Sequence, residues 1–157
     1  ACEERGILVD LAHLNAAGFW DVRGAVDAPL VVSHAGAHAI SPSSRNLTDE
    51  QLDAVADSGG LVGCTFGTAH LRPDGKRGVD APLATLLDHI EHFADRMGVE
   101  HVALGSDFDG ASIPDAVGDV TGLRDVLAGL EARGFDRGER EAIAYGNWRR
   151  VLEAWWA

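Results

Sequence analysis

The chain has 157 residues, 46% of them apolar, which suits one modest globular domain over 1–157. Twenty-five acidic against thirteen basic side chains give a formal charge of -12, which sets aside a nucleic-acid backbone or an anionic membrane surface as partner. No apolar run approaches the ~18 residues of a membrane span, and two cysteines, Cys2 and Cys64, make no disulfide framework, so a reducing cytoplasm is the expected setting.

Strand-like runs alternate with helical periods, the pattern of βα units and a parallel sheet. Four such units are expected. The first opens with a strand over 7–13, ending at His13, and a short helix around Asn15 to Val22 follows. The second has a strand over 30–34, ending at His34, then a polar loop and a helix opening at Thr48. Thr48-Asp49-Glu50-Gln51 reads as a capping box, with Leu52, Val55 and Ala56 on the apolar face and Gly59-Gly60 as the stop.

The third strand is Leu61 to Phe66, with Cys64 buried inside it. A loop rich in Gly, Pro and charge around Arg72 to Gly78 then leads to the longest helix, where Leu83, Leu86, Leu87, Ile90, Phe93, Ala94 and Met97 recur at core-facing spacing. The fourth strand runs from His101 to Ser106. Beyond it come the Asp107 loop and helices near Leu123 to Arg133 and Gly138 to Trp156, with Trp155 and Trp156 packing outside the barrel or at an interface.

Histidines that end parallel strands stand where barrel folds deliver their catalytic side chains, and His13, His34 and the loop Ser106-Asp107-Phe108-Asp109-Gly110 together point to metal-dependent hydrolysis. Neutral imidazoles on adjacent strands, level at their C-terminal ends, can share one ion. An aspartate beside an attacking water can take its proton and pass it to the leaving amine. Asp107 is preferred to Asp109 because it comes first after the strand, whereas Asp109-Gly110 is itself a turn signal. An arginine fork such as Arg45 suits a substrate carboxylate or a developing oxyanion. His89 and His92 read as solvated helix polarity, His38 as a surface residue, and His70 and His101 lack a ligand-like context.

Six blocks, in order, resemble the C-terminal half of the membrane (renal) dipeptidase family: Asp10-Leu11-Ala12-His13, Ser33-His34-Ala35, Arg45-Asn46-Leu47-Thr48-Asp49, Gly59-Gly60, Gly105-Ser106-Asp107-Phe108-Asp109-Gly110 and Gly146-Asn147-Trp148-Arg149-Arg150-Val151. The resemblance implies an α/β fold of the (β/α)8 TIM-barrel type, this chain supplying roughly the last four βα units. It implies zinc-dependent hydrolysis of dipeptides by a metal-bridged hydroxide at a two-zinc site. His13 and His34 match zinc ligands, Arg45 a substrate contact and Asp107 the proton-handling acid. Asn46 completes the Arg-Asn signature as a substrate contact or a structural residue.

The family's remaining ligands, a His-x-Asp pair and a bridging glutamate, fall outside this chain, and no His-x-Asp occurs in it. Two histidines do not complete a zinc site, which takes three protein ligands and water. The expected partners are therefore a dipeptide substrate and an N-terminal half-barrel or other chain that completes the barrel, and a homo-oligomer is also open. Other readings are a different metal-dependent amidohydrolase on the same barrel and a non-catalytic half-barrel assembly module.

Overall fold

The computed structural model describes residues 1–156. A single turn at Glu3–Arg5 ends at Gly6 and leads to α1 (Ala16–Arg23), β1 (Val31–Ala35) and α2 (Asp49–Asp57). Then follow β2 (Leu61–Thr65), the one-turn α3 (Thr68–Leu71), α4 (Leu83–Met97) and β3 (Val102–Gly105). α5 (Leu123–Ala132), α6 (Arg137–Glu141), a π-helical turn over Ala142–Gly146 and α7 (Asn147–Trp155) complete the described chain. No helix among the described residues is long and apolar enough to cross a membrane.

The strands form one parallel sheet in the order β1-β2-β3. β2 is central and buried along its whole length, as its unbroken apolar run requires. Helix boundaries follow their caps. Asn15 accepts from the Gly18 amide at α1, and Thr48 and Gln51 close the capping box of α2. The main core fills one face of the sheet, where Val32, Val62, Cys64 and Val102 meet Leu52 and Val55 of α2, Ile90 and Phe93 of α4, and Val126 and Leu130 of α5. Burial pushes the Cys64 thiol far up, which makes it an inert packing residue.

The structure corrects the expected strand over 7–13 and with it the count of four. That segment touches the sheet at one bridge, Asp10 to Val31, and one further ladder bond from the Leu11 amide to the Val31 carbonyl. Two local causes end the pairing. The Asp10 carboxylate, not a carbonyl, receives the Ser33 amide at 2.8 Å, and His13 turns into the left-handed region at φ 70°. α3 is a second departure, a helical turn inside what reads as loop.

α7 lies across the N-terminal ends of the strands. Arg150 donates to the carbonyls of Gly59, Gly60 and Glu100, Asn147 to those of Val99 and Val102, and the buried Trp155 indole to Pro29 at 2.9 Å. Val151 and Trp155 also pack on Val31, Leu61 and Ala103, the face opposite the main core. Trp156, by contrast, is exposed, its indole donating to the Gly6 carbonyl. With that end closed, the C-terminal ends of the strands are left for a site.

Candidate active site

A cleft of about 460 Å³ opens at the C-terminal ends, lined by His13 and Arg45 on one side, Gly67 to His70 after β2, Arg77 and Gly78, and Asp107 with Gly110 to Ser112 after β3. Each contributing segment leaves the top of the sheet or runs beside it.

His34 lies in an irregular stretch of β1, where the register with β2 shifts between Val32 and Ala35. The bulge drives the Ser33 carbonyl over Gly63 and Gly105. A Cβ on Gly63 would sit 2.0 Å from that oxygen and one on Gly105 2.2 Å from it, so both positions require glycine. Ser33 and His34 gain their orientation from this shift.

The imidazoles of His13 and His34 converge, with 4.9 Å between ring centroids and 2.9 Å between their Nε2 atoms. Nitrogens at ~2.0–2.1 Å from a tetrahedral zinc would stand roughly 3.3 Å apart, so this pair needs to open only by a few tenths of an ångström to share an ion. Imidazole nitrogens suit zinc and several other first-row transition metals. Among the described residues, however, no three His, Cys, Asp or Glu side chains group to hold a metal. The residues present fit part of a metal site.

Burial and, after it, the Arg45 guanidinium hold the His13 imidazole below the usual histidine range, which favours the neutral form that a metal requires. Arg45 is half-buried, donates through Nη1 to His13 Nδ1, and keeps a buried Nε without a partner. Asp107 adopts φ 56°, the second of two non-glycine residues among those described with left-handed backbone. Its carbonyl receives the Gly110 and Ala111 amides, and a Cβ on Gly110 would lie 2.2 Å from its Oδ1. Phe108 meets Phe66 edge-on at 5.8 Å, pinning the loop so that Asp107 lines the cleft. Asp109 is exposed and takes no part in the lining.

Asn46 is buried beside the cleft rather than in its wall. Its Oδ1 accepts from the Gly36 amide at 2.9 Å, and its Nδ2 donates to the carbonyls of Ser41 at 2.9 Å and His70 at 2.8 Å. This geometry matches the structural one of its two expected roles. It ties the loop bearing Arg45 to the turn bearing His70.

Sequence reasoning passed over His70, Asp10 and Ser33. His70 lines the cleft with a buried, unpartnered Nδ1, and burial followed by the nearby Arg45 lowers its basicity. Asp10 and Ser33 were legible as members of two of the matched blocks, but without a role of their own. His89 departs from the expected solvated polarity, for it is fully buried, accepting the Ala37 amide at Nδ1 and donating from Nε2 to the Leu71 carbonyl. His92 pairs with Asp49 at 2.9 Å.

The sequence model of the membrane dipeptidase family, peptidase family M19, matches residues 2–155. The chain belongs to the membrane dipeptidase family. An uncharacterized protein in the pqqA 5'region of Klebsiella pneumoniae is 48% identical over 148 residues, 94% of this chain and 55% of that protein. Dipeptidase aclJ of Aspergillus oryzae is 35% identical over 151 residues, 94% of this chain and 35% of that protein. Among solved structures, dipeptidase AC, a metallo peptidase of family M19, superposes with a TM-score of 0.95 at 46% identity, covering 99% of this chain and 46% of that one. A metallo peptidase from Rhodobacter sphaeroides, liganded with a phosphinate mimic of the dipeptide L-Ala-D-Ala, gives the same TM-score of 0.95 and 46% identity over 99% of this chain and 44% of that one. The chain thus spans between about a third and just over half of the length of these relatives. The family's fold is of the TIM-barrel type, and the M19 chain described here, α/β with three parallel strands, is consistent with part of such a barrel.

Proposed function

We propose that this chain supplies part of the active site of a zinc-dependent dipeptidase, with His13 and His34 as metal ligands, Arg45 as the substrate clamp and Asp107 as the acid and base. The observation that carries the reading is the convergence of the two Nε2 atoms, 2.9 Å apart, beside a cleft that His13, Arg45 and Asp107 line. Two zinc ions would supply polarisation of the scissile carbonyl and acidification of the attacking water.

The chain's own residues account for the rest. Arg45 has an unpartnered Nε and a guanidinium that can leave His13 for a substrate carboxylate or the oxyanion of the tetrahedral intermediate. Asp107, held in the cleft by its left-handed backbone, takes the water's proton and returns it to the leaving amine. Asn46 positions the Arg45 loop. The remaining ligands would come from an N-terminal half-barrel. That half would also cover the outer edge of β3, which has no neighbouring strand among the described residues, and the edge of β1, which has a single bridge. The phosphinate dipeptide bound by the Rhodobacter relative supports L-Ala-D-Ala as a first substrate to assay.

The test is turnover of L-Ala-D-Ala by protein in which both halves are present, with metal content measured on the same samples. Asp107→Asn is expected to lower kcat by ~10²–10⁴ with metal retained, and His34→Ala to lose metal and activity together. Full activity in the His34→Ala variant would refute the reading.

A further inference from the structure

Asp10 and Ser33 lie behind His34, away from the cleft wall, and the hydrogen bonds that join them have only one self-consistent direction. Asp10 Oδ1 accepts two backbone amides, from Ala12 at 3.0 Å and Ser33 at 2.8 Å, which fixes the plane of the carboxylate. Its Oδ2 then faces Ser33 Oγ at 2.5 Å. A carboxylate only accepts, so the single hydroxyl proton of Ser33 points to Asp10. Ser33 Oγ also lies 2.8 Å from His34 Nδ1, and toward that atom it has only lone pairs left. The proton between them therefore sits on Nδ1, and His34 Nε2 carries a lone pair.

The other end of the chain of bonds gives the same answer. Arg45 is an obligate donor, so His13 Nδ1 accepts from it and a neutral His13 bears its proton on Nε2. That N–H points at His34 Nε2, which must be an acceptor.

We propose that Asp10 and Ser33 are positioning residues that lock His34 in its Nδ1–H tautomer, so that Nε2 presents a lone pair toward the point it shares with His13. The purpose of the lock rests on the reading of His34 as a metal ligand, whereas the lock itself is a property of the chain without metal. A ligating imidazole needs its other nitrogen held by an acceptor, and a carboxylate reached through a hydroxyl provides one. Free imidazole side chains in water favour the opposite tautomer, so the arrangement selects the form that binding requires.

The experiment is long-range 1H–15N correlation spectroscopy of the histidine-labelled chain, freed of metal with chelator, at about pH 8, where an unperturbed imidazole is neutral. The expected result for His34 is a protonated, pyrrole-type Nδ1 and an unprotonated, pyridine-type Nε2. Asp10→Asn gives the sharpest contrast. Its Oδ1 must still take the two amides, which puts an NH₂ group opposite Ser33 Oγ, reverses the hydroxyl and moves the His34 proton to Nε2. Ser33→Ala removes the lock and returns His34 toward the solution mixture. A wild-type His34 protonated on Nε2, or variants that leave the tautomer as it was, would overturn the proposal, and the wild-type measurement decides even where a variant fails to fold. Zn²⁺ added to wild-type protein in which both halves of the barrel are present separates the two claims: a locked tautomer with no zinc-dependent change at Nε2 upholds the lock and counts against the metal reading, while a zinc response with an unlocked tautomer does the reverse.

Discussion

Replacing Asn46 by alanine separates its two expected roles. The substitution strands three backbone groups at once: the Gly36 amide and the carbonyls of Ser41 and His70. A buried group left without its partner costs about 1–3 kcal/mol. Asn46 also borders a second cavity of about 210 Å³, from which water can reach part of the vacated space and reduce the loss. The net destabilisation is therefore about 2–4 kcal/mol, which for a chain of this size lowers Tm by roughly 5–15 °C. Asn46→Asp should cost at least as much, because a carboxylate oxygen would then face the two carbonyls that the amide now serves. Thermal and urea unfolding of the three proteins, followed by circular dichroism, measures this. A fall in Tm of less than about 2 °C for Asn46→Ala would refute the assignment, and so would an Asn46→Asp variant as stable as wild type.

Other outcomes follow from the same geometry. Gly63→Ala places a Cβ 2.0 Å from the Ser33 carbonyl, between backbones that have little room to give, and should destabilise by about 1–3 kcal/mol while shifting the His34 resonances; a variant with wild-type unfolding and spectra would count against the bulge. Burial holds His89 below the usual histidine range, and His13 and His70 are shifted the same way. The unfolded chain takes up these protons near pH 6.5 and the folded chain resists them, so their contribution is complete above about pH 6.5 and is lost as the pH falls below it. Urea midpoints between pH 8 and 5 should accordingly fall more steeply for wild type than for His89→Gln; equal slopes would disprove the role of the buried imidazole. Asp107→Asn should leave Tm within about 1 °C of wild type, since asparagine tolerates the left-handed backbone, and a large loss of stability would recast Asp107 as a structural residue.

Much of this protein was legible in its sequence, for reasons that are local. α2 begins at Thr48 because the capping box satisfies the first amides whatever lies nearby. α4 occupies 83–97 because seven apolar side chains share one face at the helical period. The short apolar runs read as strands over 30–34, 61–66 and 101–106 lie within a residue of β1, β2 and β3, because their length and their place between helical periods suit buried parallel strands. The rule of position at the C-terminal ends of parallel strands singled out His34 and Asp107 beside β1 and β3, and singled out His13 through a strand that the fold does not form.

What the tertiary structure alone decided concerns groups whose partners are far away in the chain. The run over 7–13 reads as a strand, yet its edge meets only Val31, and Asp10 caps Ser33 instead of extending the ladder. His89 reads as one more polar residue on a helix, but the amide of Ala37 and the carbonyl of Leu71, 52 and 18 residues away, make it the pin of the core. Asn46 sits beside Arg45 in sequence and faces the other way in space, toward Gly36, Ser41 and His70. Periodicity and capping are set within a few residues, so sequence determines them. The direction of a buried hydrogen bond depends on which distant donor or acceptor the fold brings within about 3 Å, and only the folded chain fixes that.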